Sequence, residues 1–298
     1  MQVLLQVATI FLLMVMGYVA IYFKVIDKKS VTAISAVVLY FAQPCLILGK
    51  MQQEASPQLL RELMLTFVLC CVIMSVSGII AWNIFRKEPH DRRAVLANLV
   101  MASNCGFMGY PVIIAAMGEE ALIYAVMYVA GFNCVCWTLG AWFFRGKEAA
   151  SPLKIIANPT MVALAAGLVL LLMQWRLPKF VNDALDSMGS TTTPLAMFII
   201  GTRLVGIGRK DISDWKMLFA CALRLLAVPL CALFILRLTP VPETVANALF
   251  LCSAMPGASL TAMQADVFNC EKEFASRAVA VSTAFSMATV PLLLLLTA

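Results

Sequence analysis

Apolar residues run in long blocks along nearly the whole chain, and short polar clusters separate them. Blocks of about 17–25 apolar residues match the length of a membrane-spanning helix. Ten such spans are predicted, at 2–23, 30–50, 63–85, 94–117, 121–144, 153–174, 188–206, 216–237, 244–267 and 274–297. They leave no stretch in which a soluble domain has room to fold. The first span is not a cleavable signal peptide: no basic residue precedes it, its apolar core is too long, and Lys24, Lys28 and Lys29 follow it.

Composition agrees with the pattern. Of 298 residues, 62% are hydrophobic and 13% charged, against about 45–50% and about 25% in ordinary soluble domains. The 10 cysteines all fall in or at the ends of apolar spans, where they serve as small packing residues. Neither Cys70-Cys71 nor Cys134-Val135-Cys136 has histidines nearby, and the single histidine, His90, lies in a charged loop, so no metal and no cofactor is expected.

Charge sets the orientation. Lys24, Lys28, Lys29, Arg86, Lys87, Arg92, Arg93, Arg145, Lys147, Lys154, Arg203, Arg209, Lys210, Lys216, Lys272 and Arg277 fall on one side of the alternating spans. Only Lys50, Arg61, Arg176, Lys179 and Arg237 fall on the other. The first side is predicted to be cytoplasmic, with both termini outside. The net charge of +6 is therefore orientation information and not a nucleic-acid footprint.

The two halves echo one another at an offset of about 150 residues. Gly17 corresponds to Gly167, Pro44 to Pro194, and Ala97-Asn98 to Ala246-Asn247. The halves are placed at 1–147 and 148–298. Five spans per half is odd, so the second copy enters the membrane from the opposite side. The predicted fold is an all-α polytopic membrane protein: ten transmembrane helices as two inverted five-helix repeats.

Two spans at matched positions, the fourth and the ninth, are interrupted: NCGFMGYP at 104–111 and SAMPGAS at 253–259. A single break of this kind reads as a kink or a close helix contact. Two at equivalent positions of an inverted repeat point to a transporter's midplane site. Each break is expected to start a half-helix, near Pro111 or Pro256, whose unpaired N–H groups and positive end attract an anion. Asn104, Ser253, Ser259 and Thr261 are candidate polar contacts, with Phe107, Met108, Tyr110 and Met255 lining the apolar part.

Those residues resemble the auxin efflux carrier family, particularly its short bacterial members. The resemblance covers the whole chain and rests on the Asn-x-Gly-Phe-x-Gly-x-Pro pattern at 104–111, Asn158-Pro159, PLAMFIIG at 194–201, Ala254-Met255-Pro256 and SRAVAVSTAFSMATVPLLLLL near the end. It implies that the broken fourth and ninth helices cross. It also implies a scaffold from the first two helices of each repeat, a transport domain from the other three, and a homodimer formed through the scaffold. Family members move organic anions by an elevator-like motion, and their crossover residues map onto Asn104, Gly106, Gly109, Pro111 and Pro256. The chain departs from plant members in lacking a long central loop, and Gly257-Ala258-Ser259 replaces a turn that is often more polar in bacterial relatives.

The expected function is alternating-access transport of a small organic carboxylate or dicarboxylate across the cytoplasmic membrane. Arg224, inside the eighth span, reads either as a snorkelling or paired charge or as a charge near the site. Asp266 reads as a solvated interfacial charge or a proton-coupling group. H+ coupling, Na+ coupling and uniport stay open, because no Asp or Glu is placed deep in a span. The rival architectures are a sodium-coupled bile-acid-type symporter and a cation/proton antiporter, though the latter normally needs buried acidic residues. No Gly-x-Ser-x-Gly, no His-Glu-x-x-His and no intramembrane histidine supports an enzyme.

Overall fold

A computed structural model describes residues 2–145, 158–205 and 213–296. The linker between the halves, the start of the sixth predicted span, and Lys147, Lys154, Arg209 and Lys210 lie outside the described residues.

Among the described residues the protein is all-helical, and the one β pairing is an isolated antiparallel bridge between Ser103 and Gly257. The helices are α1 (Gln2–Tyr22), α2 (Lys29–Lys50), α3 (Pro57–Ile84), α4 (His90–Met101), α5 (Cys105–Met117), α6 (Glu119–Arg145) and α7 (Pro159–Leu172). They continue with α8 (Lys179–Ser190), α9 (Thr192–Thr202), α10 (Trp215–Arg237), α11 (Glu243–Ser253), α12 (Ser259–Val267) and α13 (Lys272–Leu294). Five of them, α2, α3, α6, α10 and α13, are long and apolar enough to cross a membrane. Their starts follow local chemistry. Asp27, Ser56, Asn158 and Asp214 each accept a hydrogen bond from a backbone N–H in the first turn, and Pro57 and Pro159 open their helices where a missing donor costs nothing.

One boundary differs from the sequence reading. The seventh span was expected at 188–206, but helix begins at Lys179 and runs through a joint at Thr191. Lys179, Asn182, Asp183 and Asp186 make α8 amphipathic, so a hydropathy criterion alone leaves it in a loop. The threonines before Pro194 also divide: Thr191 donates to Met188 O at 2.6 Å, while the Thr192 hydroxyl is buried without a partner among the described residues.

Three internal prolines are accommodated in the same way. Pro44, Pro111 and Pro229 each follow by two positions the end of a π-helical turn, at Val38–Ala42, Cys105–Gly109 and Leu223–Ala227. A proline ring clashes with the carbonyl four residues back and offers it no donor. The wider π turn moves that carbonyl aside, so the helices continue through these prolines.

Packing sorts the helices into two groups. In the first, α1 lies along α9, and α2 lies against α7 and α8. Glycines set these approaches: a Cβ on Gly17 would strike the Phe198 carbonyl, one on Gly201 the Met14 carbonyl, and one on Gly189 would come within 2.9 Å of the Leu46 Cα. In the second group α3 packs on α4 and α6, α10 on α4, α11 and α13, and α12 on α13. Helix α6 is its centre, 78% buried over its most apolar window against 28% for α3. The loops that charge counting puts together do meet: Lys216 bonds Glu88 and Arg92 bonds Asp214 on one side, and Lys50 pairs with Glu119 at 2.5 Å on the other.

Candidate functional site

The two breaks meet. After Met101 the chain leaves the helix through 102–104, and after Ser253 it turns at 254–255 before the non-helical stretch 256–258. The two segments lie antiparallel, with Asn104 N–H donating to Pro256 O at 2.8 Å and Ala258 N–H to Ala102 O at 2.9 Å. Each break thus supplies the hydrogen bonds that the other has lost and that lipid cannot give. Gly257 N–H donates to Ser282 Oγ at 2.6 Å, and the Leu99 side chain lies where a Cβ on Gly257 would stand.

The helical starts are displaced from the expected positions. They fall at Cys105 and Ser259, not at Pro111 and Pro256. The π turn carries helical structure back past Pro111, and Pro256 is used in the extended pairing through its free carbonyl.

Buried polar groups fasten the crossing. Thr261 Oγ1 donates to Asn98 Oδ1 at 3.0 Å, Asn98 Nδ2 to Gln264 Oε1 at 2.8 Å, and Gln264 Nε2 to Cys136 O at 2.7 Å. This chain ties α4, α12 and α6 together, and all three side chains are fully buried. Arg224, 1% exposed, donates to the carbonyls of Val100 at 2.8 Å and Met101 at 3.1 Å, and to that of Ser253. It neither snorkels nor pairs with a carboxylate of the described residues.

The predicted contact residues divide by accessibility. Gly106, Phe107 and Ser259 are partly exposed. Asn104, Gly109, Tyr110, Pro111, Met255 and Pro256 are buried and shape the crossing from within, and the Tyr110 hydroxyl has no partner among the described residues. Ser253 and Thr261 do not turn toward the open side: the Ser253 hydroxyl donates to Phe250 O at 2.7 Å in its own helix, and Thr261 is held by Asn98. Asp266 lies at the exposed end of α12 in an ion pair with Lys272 at 2.8 Å.

Further side chains stand at the partly exposed residues of the breaks. Gln43, which in sequence reads as a polar residue bonding a neighbouring helix before Pro44, donates from α2 to Gly106 O at 3.1 Å. Arg203, at the end of α9, bonds the Ser259 hydroxyl at the start of α12, and no carboxylate of the described residues pairs with it. In sequence Arg203 is one of many basic residues following a span, and nothing local marks it. Glu62 is a second such case. It is only 8% exposed and accepts from Tyr124 Oη at 2.5 Å and Gln58 Nε2 at 2.9 Å, whereas the predicted third span begins just after it.

Paired breaks carried on apolar helices define a membrane carrier in which the backbone itself builds the crossing. A family model described as "Membrane transport protein" matches residues 2–153 and again 148–294. The chain belongs to that family, the one that contains the auxin efflux carriers. Among its relatives is an uncharacterized transporter of Methanocaldococcus jannaschii, 25% identical over 297 residues that span 96% of both chains. Another, from Methanothermobacter thermautotrophicus, is 27% identical over 293 residues, covering 96% of this chain and 95% of its own. The protein is a membrane transporter.

Proposed function

We propose that this transporter moves a small organic anion, a carboxylate or dicarboxylate, by alternating access, with the anion seated on the open side of the crossing. The observation that carries this reading is the Arg203 contact with Ser259. The Arg203 guanidinium, with which no carboxylate of the described residues pairs, stands against the N-terminal end of α12, where the helix dipole is also positive. Two positive features side by side are unfavourable until a negative group joins them. Gly106 and Phe107 are the partly exposed residues of the first break, and Gln43 hydrogen-bonds the Gly106 carbonyl.

In this reading the group containing α1, α2, α7, α8 and α9 is the scaffold, and the other group carries the crossing past it as an elevator. Ten crossings, inverted halves, both termini outside the cytoplasmic membrane and a homodimer through the scaffold complete the account. No carboxylate of the described residues bonds the groups at the crossing, which disfavours a cation/proton antiporter.

The test is a thermal-shift screen of the purified protein against small organic acids, with sodium or choline and at two pH values, followed by counterflow in liposomes for each hit. Stabilisation by an organic acid together with exchange of labelled for unlabelled acid supports the reading. Stabilisation only by a cation or a bulky amphipath overturns it.

A further inference from the structure

The C-terminal ends of the two outer half-helices, α4 and α11, converge on one another, and Arg224 stands between them. Its guanidinium takes the carbonyls of Val100 and Met101 from one end and that of Ser253 from the other. Each end of a helix carries about half an elementary charge, negative at the C-terminus, so two such ends amount to about one negative charge. One guanidinium cancels them. The planar fork also suits the task, because it reaches carbonyls on two different helices at once, which a single ammonium cannot match. Arg224 itself sits in the π turn Leu223–Ala227 of α10, so a third helix anchors the charge.

In carriers built from broken helices, converging half-helix C-termini and freed carbonyls are where a coupling cation is held. Here that position is filled covalently. We infer that Arg224 is a resident counter-cation: it neutralises the C-terminal side of the crossing, fixes the two breaks in register, and removes the need for a sodium ion to complete the site. Arg224 acts as a positioning residue. It leaves only the N-terminal ends, at Cys105 and Ser259, to draw a ligand, which makes the crossing selective for an anion. The selectivity clause rests on the function proposed above; the replacement of a cation by Arg224 does not.

The experiment uses the full-length protein as wild type, Arg224→Ala and Arg224→Lys. Melting is followed in choline, sodium and lithium chloride and with millimolar guanidinium chloride. Dissociation constants are measured for any organic acid that stabilises the wild type. Wild-type melting and binding are expected to be the same in sodium and choline. Arg224→Ala is expected to melt lower and to regain stability with millimolar guanidinium but not with choline. Its acid binding should weaken at least about tenfold, the worth of one charge-assisted hydrogen bond.

If Arg224→Ala does not accumulate, Arg224→Lys carries the test, and folding with binding weakened about tenfold is the supporting result. Sodium-dependent wild-type binding, or an Arg224 variant that behaves as wild type, overturns the inference. If no organic acid binds the wild type, the proposed substrate class fails, while the sodium and guanidinium arms still decide the role of Arg224.

Discussion

Asn104 and Pro256 come from opposite halves of the chain, yet the backbone N–H of one donates to the carbonyl of the other at 2.8 Å. That bond and its neighbour, Ala258 N–H to Ala102 O at 2.9 Å, turn two helix breaks into one short antiparallel pairing. Each break would be costly in a bilayer alone. Together they are a satisfied backbone junction with four helix ends around it.

The junction can be tested at Ala258, whose φ of −69° is one that proline adopts. Ala258→Pro would remove the donor and set the ring Cδ against the Ala102 carbonyl that now accepts from it. Leaving that buried carbonyl unpaired costs about 1–3 kcal/mol, and the steric contact adds to the loss. The variant should therefore melt below wild type in the same detergent.

The α1–α9 approach depends on absent side chains. Gly17→Ala and Gly201→Ala would each push a methyl into a backbone carbonyl, of Phe198 and Met14 respectively. Backbone cannot swing aside, so each change should destabilise by about 1–3 kcal/mol, read from denaturant or thermal unfolding. The reference change Gly109→Ala, where a Cβ would meet nothing nearer than 3.5 Å, should cost far less.

How much of this was legible in sequence follows from the range of each signal. Hydropathy runs locate the spans, and the offset of the Gly and Pro positions locates the matched breaks, because both are written in contiguous residues. The ends of the half-helices were misplaced, since a π turn looks like any other helical stretch until its hydrogen bonds are known. Arg203 and the Asn98–Gln264 pair were missed for a different reason. Their roles come from partners that only folding brings near, and a lone polar residue beside an apolar run carries no record of that partner.

A pH-dependent contribution is expected at Asp27, whose carboxylate accepts from the Ser30 N–H at 2.7 Å and hydroxyl at 2.8 Å. The backbone hydrogen bond from Ser30, foremost, holds its pKa below the ordinary carboxylate value. A depressed folded-state pKa means stability that is present above the unfolded pKa and lost as pH falls through the folded one. Asp27→Asn should therefore melt below wild type near neutral pH, and the gap should close in strong acid.

Lys50 and Glu119 join the two helix groups across a partly exposed pair. Such a pair is worth less than about 1 kcal/mol, so Glu119→Gln should barely alter melting. If the groups slide past one another during transport, the contact must break in each cycle. Counterflow at saturating substrate should then run faster in the variant.

The most direct measurement is counterflow of a labelled organic acid, paired with its dissociation constant, for wild type and Arg203→Gln in the same liposomes. The account predicts that removing this charge weakens binding at least about tenfold and lowers exchange in proportion, with unfolding unchanged to within about 1 kcal/mol because Arg203 lies on an exposed surface. Undiminished binding and exchange in Arg203→Gln would contradict an anion seated on the open side of the crossing.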